Sequence, residues 1–157
     1  MNRGLPGLFL SIWIAWMPQN AWAVILSCTV SATAVNFGNY TPFSPAAVDA
    51  SGTVTVNCLG VLGGNFTVKL NTGGSGTFSP RRMYKGTDTL NYNLYTNSGR
   101  TTIWGDGTGG TFFPTVNCGL ACLGADNNFT TYGRIPGSQN TTVPGSYSDT
   151  ITVTVEW

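Results

Sequence analysis

Gly52-Thr-Val-Thr-Val-Asn-Cys58 alternates at every residue: Val54, Val56 and Cys58 share one side, Thr53, Thr55 and Asn57 the other. A period of two places successive side chains on opposite faces of a strand, so this stretch has one dry and one wet face. The pattern recurs outward from it. In Asn65-Phe-Thr-Val-Lys-Leu70 the inward set is Phe66, Val68 and Leu70, and in Leu90-Asn-Tyr-Asn-Leu-Tyr95 it is Leu90, Tyr92 and Leu94. The run Tyr147-Ser-Asp-Thr-Ile-Thr-Val-Thr-Val-Glu-Trp157 sets Ile151, Val153, Val155 and Trp157 against Thr150, Thr152, Thr154 and Glu156. Half-buried strands of this kind belong to antiparallel sheets. Turn residues separate the runs, among them Gly63-Gly64, Gly73-Gly74, Asn97-Ser98-Gly99, Pro136-Gly137 and Pro144-Gly145. No window has helical periodicity, and two packed antiparallel sheets are the economical architecture.

The run that precedes Gly52 breaks the rule. Cys28, Val30 and Ala32 share one parity, whereas Val35 and Phe37 share the other. A parity change of one residue requires a bulge or a passage from one sheet to the other.

Residues 1–23 read as a cleaved signal peptide: Arg3, an apolar stretch from Leu5 to Met17, a polar break at Pro18-Gln-Asn20 and the small-x-small site Ala21-Trp-Ala23. The apolar stretch is shorter than the roughly 20 residues of a membrane span. Residues 24–157 are then one domain, with no membrane insertion after cleavage. Ile25-Leu-Ser-Cys28 also resembles a lipobox, but acylating Cys28 would strand one of the other three cysteines. Three pairings of Cys28, Cys58, Cys118 and Cys122 are formally possible. We prefer 28–58, because an up-and-back strand pair brings those ends together, and 118–122, which closes a small loop.

The chain carries 7 Lys+Arg, 6 Asp+Glu and no His. The absence of His removes Ser-His-Asp and Cys-His catalysis together with His metal ligation. The near-zero charge argues against nucleic acid, which needs basic patches. Asp49, Asp88, Asp106, Asp126, Asp149 and Glu156 show no spacing that suggests an acid–base dyad, so the chain is read as no enzyme, with no cofactor and no metal site. Trp104-Gly-Asp-Gly107 reads as a turn beside a packed Trp, and Arg81-Arg82 as a solvated strand end. The apolar loop residues Phe112, Phe113, Leu120 and Leu123 admit two readings. They fold back over the core, or they form an exposed contact surface.

Taken in order, Cys28-Thr-Val-Ser-Ala, Phe37-Gly-Asn-Tyr40, Ser51-Gly-Thr-Val-Thr-Val-Asn-Cys58, Arg82-Met83, Leu90–Tyr95, Trp104–Gly107, Tyr132-Gly-Arg-Ile-Pro136 and Pro144–Val155 resemble the spore coat protein U domain family, which includes subunits of archaic chaperone–usher pili. The resemblance implies an incomplete immunoglobulin-like sandwich that lacks its last strand. A periplasmic chaperone, and then a neighbouring pilus subunit by donor-strand exchange, would lend the missing strand, with export through an outer-membrane usher to the cell surface. Ile151, Val153, Val155 and Trp157 would line the acceptor groove and meet the chaperone. Independently, the last run is a strong core strand with nothing after it to cover the adjacent edge, a hazard that strand addition removes. Filling the gap with four or five large apolar side chains would contribute on the order of 6–15 kcal/mol as an upper estimate. Cleavage after Ala23 would leave four residues before Cys28, about 13 Å of strand, against the roughly 10 residues a donor needs. A tip position follows as an expectation. The alternatives are a self-standing coat or matrix protein of the same fold and, more remotely, a carbohydrate-binding lectin.

The parity itself is testable. Val153→Asp is expected to abolish folding or partner capture, because it buries an unpaired charge. Thr152→Asp is expected to be much milder. Secreted yield and partner capture of the two variants measure this, and equal effects would reverse the assigned faces.

Overall fold

The computed structural model describes residues 27–59, 65–118 and 123–157, in eight strands. These are β1 (Ser27–Ala32), β2 (Val48–Leu59), β3 (Asn65–Leu70), β4 (Arg81–Lys85), β5 (Asp88–Tyr95), β6 (Thr115–Asn117), β7 (Leu123–Ile135) and β8 (Val153–Glu156). They form a five-stranded sheet in the order β1-β2-β7-β5-β4 and a three-stranded sheet in the order β6-β3-β8, with every strand pair antiparallel. The core between the sheets is the set that the alternation selects: Val54, Val56 and Cys58 from β2, Phe66, Val68 and Leu70 from β3, and Leu90, Tyr92 and Leu94 from β5. Met83, Trp104 and Ile135 complete it.

Cys28 and Cys58 stand directly opposite each other in the β1–β2 ladder, Cα atoms 4.1 Å apart, and are joined as a disulfide. The preferred first pairing is the observed one. Cys118 is not a free thiol; Cys122, and with it the 118–122 pairing, lies outside the described residues, as do Leu120 and the signal segment.

The parity break after β1 is a departure from the sheet. Thr33 still bonds Thr53, its N–H donating to the Thr53 carbonyl at 2.8 Å. The chain then crosses the inner face of the five-stranded sheet and inserts Val35 and Phe37 into the core. It passes over Gly52 of β2 and Gly133 of β7, where there is no room for a side chain. A Cβ on Gly133 would lie 2.6 Å from Val35 Cγ1 and 2.7 Å from Phe37 Cζ. The two glycines make the crossing sterically possible.

One strand went unread in the sequence and one reading is corrected. β7, the middle strand of the larger sheet, has no clean apolar alternation, because its inward positions include Asn127, Thr131 and Gly133. Val35 and Phe37 supply the apolar cover that β7 lacks. Arg81, read as half of a solvated pair, is fully buried while Arg82 is exposed. Arg81 opens β4 at an inward position, and its guanidinium ties four elements together. It donates to the Asn71 carbonyl from Nε (3.1 Å) and Nη2 (2.8 Å), to the Trp104 carbonyl (2.7 Å) and to Asn93 Oδ1 (2.9 Å). Every acceptor is neutral. Burial draws its pKa down to about 10, so at neutral pH the core holds a cation fixed by its hydrogen bonds.

Loop-closure entropy sets the expected cost of opening the disulfide. Cys28→Ser should destabilise the fold by roughly 3–4 kcal/mol, seen as a lower urea midpoint and a reduced secreted yield. An unchanged midpoint would show that the β1–β2 ladder holds without it.

Candidate strand-acceptor groove

β8 is an edge strand, and its ladder to β3 determines what it offers. The Asn71 N–H donates to the Thr152 carbonyl (3.1 Å) and the Thr152 N–H donates to Asn71 Oδ1 (2.9 Å). The register then runs through Lys69↔Thr154 and Thr67↔Glu156. In an antiparallel ladder the backbone polar groups alternate sides. Thr152, Thr154 and Glu156 therefore face β3, and Ile151, Val153 and Val155 turn their N–H and C=O groups to the open side. Among the described residues no strand occupies that side. The side chains of the same three residues pack against the core and stay half-buried.

The open side leads into a groove of about 1000 Å³. One wall is the crossing segment 32–42 and the other is the segment 142–153. Core residues form the floor: Leu70, Met83, Leu90, Tyr92, Leu94 and Ile135. Hydrogen bonds from outside hold both walls. Tyr40 Oη donates to the Pro136 carbonyl and accepts from the Gln139 N–H, both at 3.0 Å. Across the groove, Lys85 Nζ donates to the Pro144 carbonyl (2.7 Å), and Ser148 exchanges backbone bonds with Tyr84 of β4 (2.8 and 3.1 Å). The segment 147–156 thus begins on the edge of one sheet and ends on the edge of the other.

Asp149 sits at that changeover. Its Oδ1 accepts from the Gly74 N–H (2.9 Å) and its own neighbour's, Thr150 (2.8 Å), and its Oδ2 accepts from the Tyr92 hydroxyl (2.7 Å). The Tyr92 ring lies on the groove floor and meets Phe37 of the opposite wall edge-to-face, centroids 6.0 Å apart. Burial first, and the bond to Asp149 second, hold the Tyr92 phenol far above its ordinary pKa. The alternation brings Tyr92 inward, but sequence reasoning missed the role of Asp149. The available signal was its parity: it shares a side with Ile151, Val153 and Val155.

The residues read from sequence fall in three places. Ile151 and Val153 line the groove, and Val155 continues the same edge. Trp157, expected to face inward with them, is 61% exposed, because the ladder to β3 ends at Glu156 and leaves it without a strand to hold it over the core. The apolar loop is divided. Phe112 is 60% exposed, whereas Phe113 packs against the core with Lys69 Nζ 5.0 Å from its ring centroid. Both border a separate cleft of about 440 Å³ that shares no lining residue with the groove. Leu123 opens β7.

Comparison with known proteins agrees with this geometry. The family model described as "Spore Coat Protein U domain" matches residues 18–154. The chain is 33% identical to Protein U of Myxococcus xanthus over 133 residues, 77% of this chain and 70% of that protein. Among solved structures it resembles a chain in the CsuC–CsuE chaperone–tip adhesion subunit pre-assembly complex from archaic chaperone–usher Csu pili of Acinetobacter baumannii. The TM-score is 0.57 at 28% identity, over 85% of this chain and 40% of that one.

The Tyr92–Asp149 contact has a pH signature. The folded pKa of Tyr92 lies above its unfolded value of 10.0, so its contribution is fully present below about pH 10 and is lost as pH rises toward the folded value. Tyr92 should ionise only as the fold opens, read by absorbance near 295 nm against circular dichroism. Tyr92→Phe should remove that late component; its persistence would assign it to another residue.

Proposed function

The chain belongs to the Spore Coat Protein U domain family, and from that premise we propose that it is a structural subunit of a chaperone–usher surface fibre, completed by a strand from another chain. The observation that carries this reading is the groove between segments 32–42 and 142–153. Its floor is the hydrophobic core itself and its rim is a strand edge that is unpaired among the described residues. An extended peptide laid against β8 would bond the free N–H and C=O groups of Ile151, Val153 and Val155 and place alternate side chains over the core. The half-buried apolar walls, Val35 and Phe37 on one side and Ile151 and Val153 on the other, together with the open edge form an aggregation template, so the empty subunit needs a partner from the moment it folds. A periplasmic chaperone serves first and a neighbouring subunit afterwards, with the usher as the route to the surface. The resemblance to a chain of a chaperone–subunit complex supports this order. The chemistry required is binding, and no catalytic group enters the reading.

Residues 1–23 are the proposed export signal, leaving 24–157 as the domain. Ser27 already lies in β1, and Cys28 is tied to Cys58. Cleavage after Ala23 would therefore leave three residues ahead of β1, a length of about 10 Å if extended. Such a subunit accepts a strand without donating one, which suits the fibre tip, and the exposed Phe112 is a candidate contact there.

Co-expression tests the acceptor role. Without a cognate chaperone the subunit should aggregate or be degraded. With the chaperone, or with an alternating apolar strand appended through a flexible linker, it should be soluble. A stable monomer in the absence of both would instead identify a self-standing coat or matrix protein. Immunogold labelling of intact cells checks the position: label at fibre ends is expected, and uniform label along the shaft would overturn the tip assignment.

A further inference from the structure

The edge that borders the groove is apolar at each inward position but one. Tyr147, Asp149, Ile151, Val153 and Val155 share a side, and Asp149 breaks the stripe. Among the described residues it is also the only formally charged one that lines the groove. Its carboxylate has three internal donors: the Gly74 and Thr150 N–H groups on Oδ1 and the Tyr92 hydroxyl on Oδ2. A carboxylate offers about four acceptor positions. Asp149 lines the groove, and its Oδ2, with one donor, retains acceptor capacity.

An apolar strand laid in the groove would cover Asp149 and remove its remaining water without returning a hydrogen bond. An acidic side chain there would add repulsion. Buried charge is tolerated only when it is paired and hydrogen-bonded. An inward charge on a bare edge also discourages indiscriminate strand pairing. We propose that Asp149 is a specificity-determining residue of the groove: the strand that fills it is apolar at alternate positions but presents a hydrogen-bond-donating side chain, most favourably basic, where it crosses Asp149. Because Asp149 lies two residues before Ile151, this position falls at the end of the inserted strand that is remote from Val155, whichever way the strand runs. Selectivity then comes from rejection of wrong strands as much as from attraction of the right one. This inference rests on the strand-acceptor reading of the groove.

The test uses the full secreted chain in complex with its chaperone and a series of synthetic twelve-residue peptides that alternate Val with Thr and compete with the chaperone for the groove. In each peptide one Val is replaced by Lys or by Glu, and the replacement is walked along the inward positions. Binding is measured by fluorescence anisotropy. At one terminal position Lys should bind at least about tenfold more tightly than Glu, the size expected for one charge-assisted hydrogen bond. At central positions both should weaken binding. Asp149→Asn keeps the side-chain shape and should reduce the Lys-over-Glu ratio at that position to near one. Tyr92→Phe, which frees Oδ2 of its internal donor, should preserve the preference. If the parent peptide binds but no position favours Lys, Asp149 serves only to anchor Gly74 and Tyr92, and the inference fails while the acceptor reading stands. If no peptide binds, the acceptor reading itself fails. Should Asp149→Asn not fold, the wild-type series alone decides between the first two outcomes.

Discussion

The structure depends on a seam that its own strands leave open. Two sheets share one core, and along one flank the outer side of β8 faces the crossing segment 32–42 with no strand between them among the described residues. The backbone groups of Ile151, Val153 and Val155 point into that gap, and the side chains of Leu70, Met83, Leu90 and Leu94 lie beneath it. Paired backbone and dry apolar surface are what folding normally secures for such residues. Here the floor is dry, but among the described residues the edge is unpaired and the wall residues Val35, Phe37, Ile151 and Val153 stay half-buried, which is the basis of the proposed acceptor role.

A groove of this size would collapse if its walls were held only by contact with the floor. They are fixed from behind by polar bonds: Tyr40 to Pro136 and Gln139 on one side, Lys85 to Pro144 and Ser148 to Tyr84 on the other. The buried guanidinium of Arg81 anchors the floor by fastening Asn71, Asn93 and Trp104. Asn71 is also the residue that starts the β3–β8 ladder. The buried cation and the open edge are thus one hydrogen bond apart. Directional bonds suit this task better than apolar packing, because they resist inward movement without filling space.

Membership of the Spore Coat Protein U domain family and the shape of the groove agree because they rest on the same residues. The alternating strands that carry the resemblance are the strands whose inward faces become the groove floor and rim. The apolar loop around Phe112 belongs to a different part of the molecule, beside its own cleft, and does not line the groove. Its exposure leaves it free for other contacts, and the two surfaces can vary separately.

The strands β2, β3 and β5, their buried faces and the antiparallel sandwich were determined by the sequence alone, since period-two alternation is a local property that needs no partner to be read. The 28–58 bond followed from the same reading, because an up-and-back pair brings those two ends together. Tertiary structure alone decided the rest. β7 could not be read from its own residues, because its dry face is supplied by Val35 and Phe37 from a segment about a hundred positions away, over a glycine whose missing side chain is the signal. Arg81 looked like a surface charge because its acceptors are carbonyls and an amide from three distant segments, which only the folded chain assembles. Trp157 kept the right parity and still lies exposed, because burial requires a ladder that ends one residue earlier. Asp149 was visible only as an acid in an apolar stripe. That its carboxylate is tied to Tyr92 and Gly74, at the point where one segment passes from the edge of one sheet to the edge of the other, depends on how the two sheets are stacked, and alternation along a strand carries no information about stacking.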